Sequence, residues 1–421
     1  MKKTFATLLA FGLSSAAAQE LTVSYNFAEV RSPVTLTGNK FEWTPTPDLA
    51  QFLIPGSLEL EYSEVQSLTL LPGISNLLKF FEGKEVMVRI EDNRIVKAIV
   101  IRADLGLFEI AGQYRQLDAS QVIFPSLEGV RFEPTYQWQF AGAGGKSNLS
   151  YLTRALTWSP RYTLNVVGDT GRLTAWADLR NAGATPYNVP EITLVAGQIN
   201  LESGQQNQNF QSNQAQNLNV ARADSVNSVE AIGESAGLQI FKYPKALTLG
   251  SGTTTSVPFL NKSTKLERIL DYTGSFTDAP RQVLAMQRLY RVQSETDLPA
   301  GVVTVREDNR VVGQARVSDT PKAERANLYL GSDFDLRLLR TTEVISRTNT
   351  FAKFKVVFSL TNTKNRPVMI RLRENLGTSG NYNLDAVSLP NLRRESEGLN
   401  ASTTLVPNQK FEGSYTITYK Y

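Results

Sequence analysis

The chain has 421 residues, 44 Lys and Arg against 40 Asp and Glu, and a formal net charge of +4, with neither histidine nor cysteine. These counts exclude disulfides, thiolate nucleophiles, zinc sites built on imidazole or thiolate, and any imidazole base working near neutral pH. The charge is too small for a nucleic-acid polycation, and the length suits two or three domains with ordinary cores.

The first residues, MKKTFATLLAFGLSSAAAQE, place two lysines before an apolar run from Phe5 to Leu13 and end that run at Ala16-Ala17-Ala18. This is the layout of a secretory signal peptide over residues 1–18. The run is shorter than the ~20 apolar residues of a membrane-spanning helix. Export is therefore expected, to the periplasm, the periphery of the outer membrane or the cell surface. Loss of Lys2 and Lys3 with the leader lowers the net charge from +4 to +2.

Short alternating segments follow, beginning with Leu21–Val30 in a set of N-terminal strands over residues 19–73. Residues Gly73–Phe81 (GISNLLKFF) have helical spacing and stop before Gly83, a C-cap signal. Closely spaced strands EVMVRI, RIVKAIVI and LFEIA come next, separated by Glu91-Asp92-Asn93 and Asp104-Leu105-Gly106. One short helix and about five such strands suggest a small Sm-like or SH3-like barrel over residues 74–127, with a spacer or protein-docking role rather than RNA binding in an exported chain.

The stretch AGAGGKSN then contains Gly-Gly-Lys-Ser. A phosphate-binding P-loop needs glycine where Phe140 stands and a following helix, whereas NLSYLTRALTW alternates like a strand. The glycines are expected to form a turn between strands. Strands recur through Asn148–Asn200, with Asn181–Tyr187 (NAGATPY) as a turn. Residues 203–219 are almost all Gln, Asn and Ser, and the stretch 203–237 is expected to be a disordered loop.

Near its end lies Gly233–Gly237, GESAG, which fits the G-x-S-x-G turn of serine hydrolases. That turn needs a strand before the serine, a helix after it and a base. Here a strand pattern, LQIFKYP, follows, the chain has no histidine, and no lysine has a serine three residues before it. Ser235 is thus expected to be a loop residue and no catalytic nucleophile.

Residues Arg281–Leu289 fit a helix or a strand. Phe351–Thr363 and Val368–Asn375 read as two antiparallel strands around the polar turn KNRP, and LVPNQKFEGSYTITYKY reads as a closing hairpin. The pair Asp333 and Asp335 (GSDFDL) has the oxygen chemistry of a hard-cation site such as calcium, or of solvated turn carboxylates. Tyr419 and Tyr421 end the chain on an aromatic strand, but lipid-facing alternations of outer-membrane-barrel type are not repeated before it. Many short strands with Gly, Pro and Asn turns predict an all-β chain. Its main region, residues 128–202 and 238–421, is expected to be an Ig-like sandwich.

The segment Ser150–Asn200 resembles the C-terminal domain of mucoidy-inhibitor-like exported proteins, a domain of unknown function. The likeness rests on Tyr151-Leu152, on Trp158 with Tyr162 four residues on, on LRNAGATPY and on LVAGQIN. It continues through GLQIFKYPKALTLGSGTT, DTPKAERANLYLGSDFDL, FSLTNTKNRPVMIRLREN and the final YTITYKY. The N-terminal LLKFFEGKEVMVRI and VIFPSL are also similar to members of this family. The resemblance implies a fold and no catalytic residues. Family members often carry a histidine in the strand that here reads LQIFKYP, and this chain lacks it. Trp158, Tyr162 and Asn181 are expected to be structural, the aromatics as core anchors and the asparagine as a turn-former. The function expected is that of a non-catalytic cell-envelope protein, structural or docking, with no cofactor and an envelope protein or polysaccharide as partner. An envelope glycan-binding or carboxylate-based glycan-active protein is the alternative.

Overall fold

A computed structural model describes residues 19–62, 64–90, 93–201, 229–377, 382–395 and 398–421. The expected signal peptide over 1–18 and residues 202–228 of the Gln/Asn-rich stretch lie outside them. The chain is all β, as expected, with only two short α-helices, Pro47–Phe52 and Leu77–Phe80, among the described residues. It divides into two compact units.

Unit 1 comprises residues 1–157, 180–193 and 244–255. Ala28–Thr37 pairs antiparallel with Glu20–Val23 on one side and Gly144–Thr153 on the other, and Glu59–Leu60 continues the sheet. A second sheet places Thr135–Phe140 between Lys40–Trp43 and Val65–Leu71. Alternation puts one side of Ala28–Thr37 inward. Leu36, Leu60, Trp138, Phe140 and Leu149 form the buried core between the two sheets. Aromatic pairs fill it, including Phe41 with Trp138 at 5.6 Å and Trp43 with Tyr151 at 5.5 Å. Residues 135–153 therefore belong with the N-terminal strands and not with the large sandwich, contrary to the expected boundary at residue 128. Cross-strand contacts of high sequence separation decided this, and local pattern does not carry them.

The expected small barrel region is inserted between these strands. Its five strands run antiparallel in the order Val122–Ile123, Glu85–Arg89, Ile95–Arg102, Leu107–Ile110, Gln113–Gln116, around a core of its own that includes Leu78, Phe81, Val86, Val88, Val100 and Phe108. The helix before it is shorter than the spacing predicts. It spans Leu77–Phe80, where the Asn76 side chain accepts from Leu78 N at 3.0 Å and starts it. At the neck of the insertion Ile74 N donates to Arg131 O at 2.8 Å. A Cβ on Gly73 would stand 2.5 Å from Phe132 O, so only glycine lets the two chain segments run this close.

Unit 2 comprises residues 158–179, 194–243 and 256–421. Its main sheet runs Arg310–Val317, Gly301–Glu307, Leu156–Val167, Thr170–Asn181, Thr254–Ser275, Arg281–Gln293, Arg325–Arg347, Phe351–Thr361, Lys410–Lys420, Tyr382–Ser388. Arg281–Gln293 is thus a strand, which settles the helix-or-strand ambiguity of that segment. The far half of Thr254–Ser275 also pairs parallel with Val368–Asn375, which in turn pairs antiparallel with Gly398–Leu405. That branch folds the sheet over a core of Leu270, Met286, Leu338, Phe354, Phe358, Ile370, Leu372, Tyr415 and Ile417, among others.

Two expected hairpins are absent. Phe351–Thr361 and Val368–Asn375 do not pair with each other, nor do Gly398–Leu405 and Lys410–Lys420. Each connection instead crosses from one layer of the sandwich to the other, and one buried residue holds both crossings. Asn362, fully buried, donates from Nδ2 to Arg366 O and to Leu405 O, both at 2.9 Å, and accepts from Lys364 N at 3.0 Å. Its own N–H donates to Gln409 O at 3.0 Å.

Asn181 makes the same set of bonds in unit 1. Its Nδ2 donates to Thr185 O at 2.8 Å and Leu249 O at 3.3 Å, its Oδ1 accepts from Gly183 N at 3.0 Å, and its N–H donates to Thr253 O at 2.9 Å. The offsets match throughout. Tyr187 pairs with Leu249 as Val368 pairs with Leu405, each six residues past its asparagine. The chain therefore carries one asparagine-cornered β-arch twice. Its trace in the sequence is Leu-x-Asn-x-x-x-x-Pro, at Leu179–Pro186 and again at Leu360–Pro367.

Candidate functional site

The catalytic motifs dissolve in the geometry. Glu230–Ser235 is a strand that pairs with Leu238–Tyr243, so Ser235 ends a hairpin strand and is not in a loop. Ala236 and Gly237, with φ of 52° and 80°, form the two-residue turn, and Glu234 accepts from Gly237 N at 2.6 Å. Positive φ at both central positions is the geometry that joins twisted strands tightly. No helix follows the serine, as a nucleophile elbow would require. Residues 230–237, expected within a loop, thus form a hairpin strand and its turn. Gly-Gly-Lys-Ser lies within the strand Gly144–Thr153, opposite Val34–Thr37, and not in a turn. A Cβ on Gly144 would meet Leu36 O at 2.4 Å, so this glycine serves strand packing.

Asp333 and Asp335 come together around a side-chain cation. Lys364 Nζ lies 3.0 Å from Asp333 Oδ2 and 3.4 Å from Asp335 Oδ2. Asp333 Oδ1 accepts from Asp335 N at 3.0 Å and Leu336 N at 2.9 Å. Burial pushes the Asp333 carboxyl up, but the Leu336 N–H and Lys364 outweigh it and hold the group below the usual carboxylate range. Among the described residues no group of three or more Asp and Glu is placed to hold a metal ion.

The three residues that define the sequence resemblance are all buried. Trp158 Nε1 donates to Val195 O at 2.9 Å, and its ring meets Phe259 at 5.9 Å. Tyr162 donates to Pro299 O at 2.9 Å. Asn181 is the corner described above.

A buried polar cluster that the sequence reading missed sits in the core of unit 2. Arg340 is fully buried. It donates from Nε to Glu374 Oε1 at 2.8 Å and from Nη1 to Thr277 O at 2.9 Å and Thr342 Oγ1 at 2.7 Å. Tyr415 donates to Glu374 Oε2 at 2.6 Å. Burial raises the Glu374 carboxyl, with Arg340 and Tyr415 opposing. Every member is enclosed, so the cluster is unreachable by a substrate and fixes the packing of its strands. Near the open end of this sandwich Leu389, Pro390, Thr403, Leu405 and Phe411 line a shallow depression.

No family model matches the chain, and no curated protein matches it either.

The exposed feature that stands out is an edge strand of unit 1. Val65–Leu71 (VQSLTLL) bounds the three-stranded sheet, and its first six residues are exposed. It contains no charge, proline or glycine. Leu68 and Leu70, 45% and 54% exposed, lie in register with Trp138 and Tyr136 and extend that apolar face past the core. The other edges of the described sheets are guarded, as natural edges usually are. Lys40–Trp43, Gln113–Gln116, Arg310–Val317 and Arg393–Glu395 carry charges, while Glu59–Leu60 and Val122–Ile123 have two residues each. Glu230–Ser235 and Tyr382–Ser388 carry register breaks and acidic residues. The two-stranded pair Tyr187–Val189 and Leu247–Leu249 is three residues long. Only the whole set of pairings identifies an edge, so alternation alone could not single out this strand.

Proposed function

We propose that the chain is an exported, non-catalytic cell-envelope component that docks on another envelope protein by strand addition. The single observation that carries this reading is the unguarded Val65–Leu71 edge. An edge strand offers alternate unpaired N–H and C=O groups to an incoming extended segment, and Leu68 and Leu70 supply apolar anchors on one side of it. The partner segment is extended, uncharged at its centre and apolar at alternate positions. Relation to the mucoidy-inhibitor-like family belongs to this proposal and rests on the strand and turn signatures quoted above. The glycan-active alternative has less support. Trp138 and Trp158 are buried, Trp43 and Trp176 are half-buried, and the carboxylates Asp333 and Asp335 share a lysine.

The test is the native size of the protein after mild detergent extraction of the envelope, for the wild type and for Thr69→Pro. A large assembly in the wild type, dissolved by the proline at the strand's centre, is the expected result. Migration of the wild type as a free species the size of the mature chain would overturn the reading.

A further inference from the structure

In unit 2 the strand Thr254–Ser275 brings together side chains about a hundred residues apart in sequence. Its parallel partner Val368–Asn375 sets Arg371 beside Asp271 and Arg373 beside Thr273. Arg371 Nε donates to Asp271 Oδ1 at 2.6 Å, and Arg373 Nη2 to Asp271 Oδ2 at 2.8 Å. The Tyr329 hydroxyl accepts from Arg373 Nη2 at 3.2 Å and from Arg371 Nη2 at 3.5 Å. It comes from Arg325–Arg347, two strands away through Arg281–Gln293.

The charges in this cluster do not balance. Asp271 is 1% exposed and supplies one negative charge, while the two guanidiniums supply two positive ones. Each guanidinium has five N–H donors. Asp271 and Tyr329 take only some of them, and Arg373 Nε is buried without a hydrogen-bond partner. Arg373 Nη2 gives its hydrogens to Asp271 and Tyr329 and its Nε is buried, so on this side chain, 32% exposed beside a Tyr329 that is 43% exposed, Nη1 is the donor left for a ligand from solvent. The next position across the sheet from Arg373 is Asn400, which donates to Glu395 at 2.8 Å and faces Arg393 in turn.

A buried donor without an acceptor is costly, and planar arginine forks match oxyanions with two parallel bonds. We propose that Tyr329, Arg371 and Arg373 form a binding site for a phosphate group, free or as a monoester. Arg373 supplies Nη1 as the donor, Arg371 adds charge, and Tyr329 with Asp271 holds both guanidiniums in place. Asp271 does not repel the ligand strongly, because both its oxygens already receive arginine N–H groups. The site is in unit 2 and independent of the edge strand in unit 1.

Calorimetric titration of the full mature chain with inorganic phosphate, in a chloride buffer of matched ionic strength, tests this. The wild type is expected to bind, and Arg373→Gln to bind about tenfold or more weakly, the usual consequence of losing a charge-assisted pair. Arg394→Gln, an exposed arginine outside the cluster, is expected to bind as the wild type does. Circular dichroism checks that each variant is folded. Should Arg373→Gln not fold, a phosphate-dependent rise in the melting temperature of wild type, reduced in Arg371→Gln, reads the same site. Glucose 1-phosphate binding more tightly than inorganic phosphate assigns the source to a sugar monoester, and equal or weaker binding assigns it to free phosphate. No heat with either probe, or equal phosphate affinity in wild type and folded Arg373→Gln, would overturn the proposal.

Discussion

Replacing Asn362 by alanine should unlatch the second β-arch. The side chain makes three hydrogen bonds, to Arg366 O, Leu405 O and Lys364 N, from a fully buried position. Arg366 is exposed, so water can replace the amide at that carbonyl. Leu405 is 1% exposed, so water cannot replace the amide at its carbonyl. At a net ~1 kcal/mol for each of the three bonds, the loss is about 3 kcal/mol. For a unit of this size that corresponds to a fall of roughly 6–12 °C in melting temperature, measurable by scanning calorimetry. Asn362→Asp separates the contributions. It keeps the acceptor for Lys364 N but turns a carboxylate toward two carbonyls, so it should be less stable than the alanine variant. Asn181→Ala should show a smaller loss, about 2 kcal/mol, because its bond to Leu249 O is the longer one at 3.3 Å. A loss below ~1 kcal/mol for Asn362→Ala, or rescue by aspartate, would refute the latch argument.

Further outcomes follow from two other sites. Burial pushes the Asp271 carboxyl up, but hydrogen bonds from Arg371 and Arg373 prevail and hold it below its ordinary range. A depressed carboxyl contributes stability that is complete above the unfolded value of about 3.9 and is lost as pH falls through the folded one. In urea titrations at several pH values, the stability advantage of wild type over Asp271→Asn should therefore be constant near neutrality and shrink below about pH 4. An advantage that grows in acid would contradict this ion pairing. At the GESAG turn, Ser235→Ala should change stability by less than ~0.5 kcal/mol, and fluorophosphonate probes should leave the protein unlabelled. Gly237→Val should cost ~1 kcal/mol or more, because the turn needs φ of 80° there.

The exclusions came from composition. Without histidine or cysteine no sequence motif in this chain could be a conventional triad or a thiolate site, and the hairpin at Ser235 agrees. Strand content was legible too, because alternation is a local property of side chains on a pleated backbone. So was the separate small sheet around Val86, Val100 and Phe108, where consecutive strands pair and only Val122–Ile123 returns from further along the chain to Glu85–Arg89.

What alternation could not convey is which strand lies beside which. KNRP between Phe351–Thr361 and Val368–Asn375 reads like a hairpin turn, since polar turn residues join strands within one layer or between two equally well. Only the burial of Asn362, bonded to a carbonyl over forty residues away, makes that connection a crossing. The same non-local pairing gathers Asp271, Arg371 and Arg373, and it leaves Val65–Leu71 uncovered at a sheet edge. Composition and periodicity thus determined that the chain is made of strands and what chemistry it lacks. The tertiary structure decided the order of those strands, the duplicated asparagine corner, and where unmatched charge and an open edge remain, because hydrogen bonding between strands ignores distance along the chain.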